Sequence, residues 1–349
     1  MAFIAGKDGE ESLVRGRKPK HGVRMKITVI LCTYNRCASL AKALASAAAS
    51  SLSDAEWEVL VVDNNSKDQT REVVEDYCRK YPGRFRYLFE SKQGKSHALN
   101  AGIRAARADV LAFMDDDVVV EPKWLQNLTE PLRSDAWDGT GGRILPDPAF
   151  CPPDWLATDG PYSLTGMLAL FDFGDQECEL KSPPFGTNMA FPRRIFERFG
   201  GFRTDLGPCP GSEIRNEDTE FGRRLLTGGC RLRYQPSAVV YHDVIMERLT
   251  KEYFLKFWYD QGRAMVREWG EGAAICGIPR VYLRMLKLGL VELQAVLRWA
   301  SGLNRQARFF WKGTAWMHAG QIIESYRRAR RSADSSGALT PCSPVAESK

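Results

Sequence analysis

Apolar and polar positions along the chain follow two rhythms, and the change between them divides it. From residue 26 to about residue 130, short β-branched runs are separated by longer stretches with helical spacing. Residues 26–32 (KITVILC), 58–62, 85–89 and 110–114 read as strands. Residues 38–50, 68–80 and 96–107 read as helices, the second with Asp68 on its N-cap side. Alternation at this spacing predicts an α/β fold, a mostly parallel sheet flanked by helices. After residue 130 the rhythm gives way to Pro- and Gly-rich stretches such as 146–153 and 181–186. A helix is predicted again over about 217–226, followed by two or three long amphipathic helices through 250–331. Residues 1–24 read as a basic, weakly structured arm and 332–349 as a disordered tail.

In a parallel sheet, ligands bind beyond the carboxyl ends of the strands. That rule selects three segments: Thr33–Arg36, Asp63–Ser66 and Asp115–Asp117. The last lies in LAFMDDDVVV, three carboxylates between two apolar runs. Their mutual repulsion has to be offset. Asp115 and Asp117 stand two apart, so on an extended strand end they face one side and could share Mg²⁺ or Mn²⁺ with open positions for phosphate oxygens. The plainer alternative is an acidic loop in which Asp116 or Asp117 caps the next helix. In TYNR, Tyr34 offers a flat ring for a base to stack on, although either this segment or 63–68 could be a turn plus a helix cap. Gly94-Lys95-Ser96 opens a helix, where Lys95 could meet a phosphate beside free backbone N–H groups, without full P-loop spacing. Asn216-Glu217-Asp218 puts carboxylates at a helix start, suited to taking a proton or simply to complementing the helix dipole.

Charge changes the picture mainly near the C-terminus. Residues 248–331 hold 16 Lys/Arg against 6 Asp/Glu, a net of +10, leaving −4 for the rest of a chain whose total is +6. Such an excess suits an acidic lipid surface or a phosphorylated partner, or else a solvated face. Residues 281–300 (VYLRMLKLGLVELQAVLRWA) carry a wide apolar face, with Arg284, Lys287, Gln294 and Arg298 opposite and Glu292 breaking the pattern. Packing against the preceding domain and lying in a membrane interface are both open for this helix, packing being favoured. Membrane contact is also open for 311–316 and 327–331. The nine cysteines are scattered without a Cys-x-x-Cys, which fits reduced thiols better than a zinc site or disulfide framework. No signal-peptide pattern and no apolar run of spanning length is found, so the expectation is a cytoplasmic protein, or one peripheral to the inner face of the plasma membrane.

Six motifs in order, TYNR, VVDNNSKDQT, GKSHALNAGI, FMDDDV, GTNMAF and NEDTEFGRRL, resemble the family 2 glycosyltransferases of GT-A fold, from about Lys26 to Tyr241. The resemblance implies a catalytic domain over 25–245, with a nucleotide-binding half to 130 and an acceptor half beyond, before a helical region to 331. It implies inverting transfer of a sugar from a UDP-, GDP- or dTDP-linked donor, with Mn²⁺ or Mg²⁺, to a hydroxyl of a glycan, glycolipid or bacterial cell-envelope polysaccharide precursor. Thr33, Tyr34, Asn35, Arg36, Asp63, Asn65, Lys95, Asn100, Asp115 and Asp116 then fall at nucleotide-sugar positions. Asp117, with Asp115 and His242, falls at the metal, and Asp116 takes the variable middle position. Asp218 matches the base and Glu217 an acceptor-orienting partner. Gly186 and Asn188 match the segment under the donor sugar or acceptor, and Trp155 is a candidate for stacking on a sugar, a packing tryptophan being the plainer reading. The loop 200–211, with Cys209 between two prolines, is expected to shape the acceptor pocket. A sugar-nucleotide pyrophosphorylase, though lacking a Gly-rich loop after the first strand, and a non-enzymatic binder of acidic polymers are the competing readings. No nucleic-acid partner is expected.

Overall fold

The structure, a computed structural model, describes residues 25–52, 55–210, 214–269, 280–302 and 304–337. Its first half is a run of strand–helix units: β1 (Met25–Thr33), α1 (Cys37–Ala48), β2 (Ala55–Asp63), α2 (Thr70–Lys80), β3 (Phe85–Phe89), α3 (Lys95–Ala105) and β4 (Val110–Asp115). The second half interleaves β5 (Val118–Val120), α4 (Trp124–Thr129), β6 (Gly139–Pro146), β7 (Cys178–Glu179), β8 (Asn188–Pro192), α5 (Arg193–Phe199), α6 (Glu217–Thr227) and β9 (Leu232–His242). The long helices α7 (Lys251–Trp269), α8 (Arg280–Ser301) and α9 (Arg305–Gly337) follow.

All strands join one sheet in the order β3-β2-β1-β4-β8-β6-β9-β5, with β7 on the side of β9. Strands β3, β2, β1 and β4 are parallel, and their buried faces explain near-continuous runs such as Val59-Leu60-Val61-Val62. Strand β8 runs antiparallel between β4 and β6, joining the halves. The register sets Thr33 beside Asp63 and Cys32 beside Asp115, so three strand ends line up on one edge. A two-residue turn at Asp116–Asp117 sends the chain into β5, whose Val118 pairs with His242 at the end of β9. Beneath α5 and α6, Phe113, Phe191, Phe196, Phe202 and Phe221 form a ring cluster, Phe196 stacking on Phe221 at 5.0 Å.

Strands β6 and β8 arise in the region read as loops. Helix α9 continues to Gly337, so the boundary drawn for the tail at 332 falls within it. The arm over 1–24 and residues 338–349 lie outside the described residues. Helices α7 and α9 touch at Gly262, Gly313 and Gly320, each without room for a Cβ against the other helix. Glu324 of α9 binds Arg263 (3.1 Å) and Arg267 (2.9 Å) of α7 across this seam. Helix α8 packs on α9 by Leu288 and Ala295, with Glu292 beside His318 at 4.0 Å. Its Leu286, Leu290, Leu293 and Leu297 are exposed, contrary to the packing expected of this face. Among the described residues no helix is long and apolar enough to cross a membrane, and the seven described cysteines are free thiols.

Candidate active site

The aligned strand ends open on a cavity of about 380 Å³. Thr33, Tyr34 and Arg36 line it from the end of β1, Asn64 from the end of β2, Gly94 and Lys95 from the start of α3, and Asp115, Asp116 and Asp117 from the end of β4. Tyr34 presents an exposed ring. Gly94 holds φ +130°, a backbone state disfavoured for L side chains, and donates its N–H to Asn64 Oδ1 at 2.7 Å. The Asn64 side chain also donates to the carbonyls of Glu90 and Lys92. It thereby fixes the start of α3 and the place of Lys95.

The triplet is neutralised by the protein's own cations. Arg36 Nη1 lies 3.0 Å from Asp116 Oδ1 and 2.7 Å from Asp117 Oδ2. The Thr33 hydroxyl donates to Asp116 Oδ2 at 2.7 Å. Lys95 Nζ stands 2.8 Å from Asp115 Oδ1, and Asp115 Oδ2 accepts from the Thr187 hydroxyl. The strand ends before Asp116, so two-residue periodicity does not carry Asp117 onto the same face as Asp115. Asp116, which takes the variable middle position, is buried and bonded. Burial and the charge of Asp117 push the Asp116 carboxyl up to about 6, against Arg36 and Thr33. Burial also works against Asp117, but His242 and Arg36 outweigh it and hold that carboxyl well below the usual range. For Arg36 burial is outweighed by Asp116 and Asp117, and its pKa rises.

His242 Nε2 lies 3.5 Å from Asp117 Oδ1, and its Nδ1 is buried without a partner. Of the three metal candidates the structure therefore brings Asp117 and His242 together and keeps Asp115 on Lys95. Among the described residues no three His, Cys, Asp or Glu side chains group as a ready-made metal site. An aspartate beside a histidine with an orphaned nitrogen is nevertheless a donor set that fits a divalent ion.

Lys95 reaches past Asp115 toward Glu217 Oε1, 3.7 Å away at the start of α6. Burial raises the Glu217 carboxyl to about 7 despite Lys95, with Asp218 adding to the rise. Burial likewise opposes charge on Lys95, but Asp115 and Glu217 outweigh it and hold the ammonium above its ordinary value. Asp218 accepts the Gly186 N–H on Oδ2 at 2.8 Å and the Thr219 N–H on Oδ1 at 2.6 Å. Asn216, at φ +81°, turns the chain into this helix.

Several expected site residues are occupied elsewhere. Buried Asp63 accepts the Ser66 N–H at 2.9 Å and the Tyr87 hydroxyl at 2.8 Å, and does not line the cavity. Asn35 joins two loops, accepting the Lys67 N–H on its side chain while its own N–H reaches Ser66 Oγ. Asn65 accepts from Lys67 Nζ. Asn100 uses both ends of its amide on the Phe202 backbone. Asn188 lies in the core, accepting from Trp124 Nε1 and donating to the carbonyls of Arg143 and Ala238. Trp155 packs edge-on against Phe254 and Phe309 at 5.3 and 4.8 Å, the plainer of its two readings.

Other lining residues escaped the sequence. Arg215 comes from just before α6, and Arg248 and Tyr253 from the approach to α7 and its first turn, Arg215 donating to the Tyr253 hydroxyl at 3.0 Å. The bulk of Met167, Leu168 and Ala169 closes another side. Pro208, Cys209 and Pro210, from the loop expected to shape the acceptor pocket, line it as well. The basic excess over 248–331 hinted at Arg248, and nothing in the sequence singled out Arg215.

A parallel sheet continued through an antiparallel strand, with acids at the end of β4 facing a cation-rich cavity, is the architecture of GT-A glycosyltransferases. Among solved structures, the mannosyltransferase PcManGT of Pyrobaculum calidifontis, in complex with GDP-Man and Mn²⁺, has this fold, with a TM-score of 0.56 over 89% of this chain and 88% of that one at 19% identity. The model for Glycosyl transferase family 2 matches residues 28–200. The chain is 27% identical over 241 residues to the glucosyl-dolichyl phosphate glucuronosyltransferase of Haloferax volcanii, covering 67% of this chain and 75% of that protein. It is also 27% identical over 301 residues to the succinoglycan biosynthesis protein ExoM of Rhizobium meliloti, covering 85% and 92%. The chain is thus a glycosyltransferase. It belongs to family 2, which sets aside the pyrophosphorylase and polymer-binding readings.

Proposed function

We propose that this enzyme moves a sugar, with inversion, from a nucleotide-diphosphate donor to a hydroxyl of a glycan or lipid-linked acceptor, assisted by a divalent cation. The observation that carries the reading is the convergence of Tyr34, the Asp115–Asp117 triplet, Arg36, Lys95, Arg215 and Arg248 on one cavity at the strand ends. Tyr34 offers its ring to the base. The four cations draw the diphosphate inward and stabilise charge that develops on it as the glycosidic bond breaks. Asp117 and His242 would hold the cation, which supplies Lewis-acid stabilisation of the leaving diphosphate. Mn²⁺ is a natural first choice, being present with GDP-Man in the Pyrobaculum enzyme.

On the opposite face of the sugar, the acceptor oxygen attacks the anomeric carbon and passes its proton to Asp218. Asp218 is held by the Gly186 and Thr219 N–H groups, and its Oδ2 retains a second lone pair. Those bonds keep it aimed at the acceptor hydroxyl. Glu217, on Lys95, orients the acceptor, and the site works at the cytoplasmic face where nucleotide sugars are available. The likeness to the succinoglycan protein supports a surface-polysaccharide acceptor, and that to the Haloferax enzyme a lipid-phosphate-linked one.

A donor-hydrolysis screen over UDP-, GDP- and dTDP-sugars with and without Mn²⁺, together with calorimetric titration of UDP and GDP, tests this reading. One nucleotide is expected to bind in a Mn²⁺-dependent manner. Unchanged Mn²⁺-dependent affinity in Asp117→Asn would remove the metal assignment.

A further inference from the structure

Helix α8 turns its more apolar side away from the protein. Leu286, Leu290, Leu293 and Leu297 recur at helical spacing and are 67%, 65%, 57% and 61% exposed. Tyr282, Leu283 and Val296 widen the same face, and all are exposed. The opposite side, with Leu288 and Ala295, is the one packed on α9. An amphipathic helix that buries its narrower apolar stripe and leaves its wider one in solvent lacks a partner for the latter. On α9, Trp316, Ile323 and Tyr326 form a second exposed set at positions that share one side of that helix.

The charges around these faces indicate what covers them. Residues 280–331 contain eleven Lys or Arg and two acids, Glu292 and Glu324. Both acids are turned inward, Glu292 toward His318 and Glu324 onto Arg263 and Arg267. Lys287 and Arg298 border the leucine face of α8, while Arg308, Lys312, Arg327 and Arg330 stand among the exposed aromatics of α9, all of them exposed. Between residues 285 and 330 the outward rim is therefore basic. A second copy seated face to face on a two-fold axis would bring like-charged rims together. A bilayer with anionic headgroups answers both features at once: leucines enter the acyl boundary and the cations meet the headgroups.

We infer that the outer face of the α8–α9 pair is a docking surface for an anionic phospholipid bilayer, with α8 lying in the interface plane. The inference is independent of donor, metal and acceptor. The test is co-sedimentation of the full chain with vesicles of equal parts phosphatidylcholine and phosphatidylglycerol, and with phosphatidylcholine alone. The mixed vesicles are expected to bind at least about tenfold more strongly. Replacing the four leucines by Gln, which removes no buried contact, is expected to weaken that binding at least about tenfold with the melting temperature unchanged. The variant Lys287→Glu/Lys312→Glu/Arg330→Glu is expected to abolish the preference for the mixed vesicles. The inference is overturned by equal binding to both vesicle types, by binding to neither, or by a dimer in light scattering that the leucine variant dissociates without any vesicle binding.

Discussion

At the scale of residues, the proposed roles divide nucleotide binding from proton transfer, and substitutions are expected to separate them too. Asp218→Asn keeps the size of the side chain but removes the proposed proton acceptor, so kcat is expected to fall about 10²–10⁴-fold. The affinity for nucleotide with Mn²⁺ is expected to remain within about twofold, because Asp218 lies apart from the cavity lining. Asp117→Asn is expected to do the reverse first, weakening Mn²⁺-dependent nucleotide binding by tenfold or more in titration calorimetry, on the scale of removing one ligand. Glu217 gives a pH signature. Its carboxyl rises on folding from an ordinary 4.5 to about 7, so its neutral form favours the fold. That contribution is complete below about pH 4.5 and is lost as pH climbs through about 7. Melting curves of wild type and Glu217→Gln should therefore diverge between pH 4.5 and 7, wild type losing ground as pH rises.

At the scale of elements, the parallel half could be read from sequence because each strand there is a compact β-branched run and each helix has clean periodicity. The predicted 85–89 strand coincides with β3, and the other predicted strands lie within longer observed ones. Strands β6 and β8 were not legible. The first opens with Gly139-Thr140-Gly141-Gly142 and is placed by its neighbours rather than by its own propensity. The triplet was legible as a charged feature but not as a geometry, since its partners Thr33 and Arg36, Lys95 and His242 come from three distant segments. Motif matching also could not tell a ligand-facing amide from a structural one. Asn188 and Asn100 are expected to act on stability rather than on substrate affinity. Asn188→Ala would leave Trp124 Nε1 and two carbonyls unsatisfied, at a cost of about 2–5 kcal/mol in denaturant unfolding. Any enzyme that remains folded should keep its KM for donor.

At the scale of the whole molecule, α7 joins parts that the sequence motifs treat as separate. Its first turn carries Tyr253, bonded to Arg215 in the cavity wall. At its other end, Arg203 donates to the carbonyls of Arg267 and Glu268, and Arg223 pairs with Glu268. Arg203 and Asp205 belong to the loop that leads to Pro208, Cys209 and Pro210, so the helix holds two walls of the same cavity. At 19 residues it is about 28 Å long and stiff over that span. A chain cut after His242 would retain every motif that identifies the family, and yet is expected to bind nucleotide at least tenfold more weakly in calorimetry. The walls of the cavity reach α7, beyond the last motif, and grafting the motif-bearing segment alone onto another protein would transplant the acids at the strand ends without the walls that enclose them.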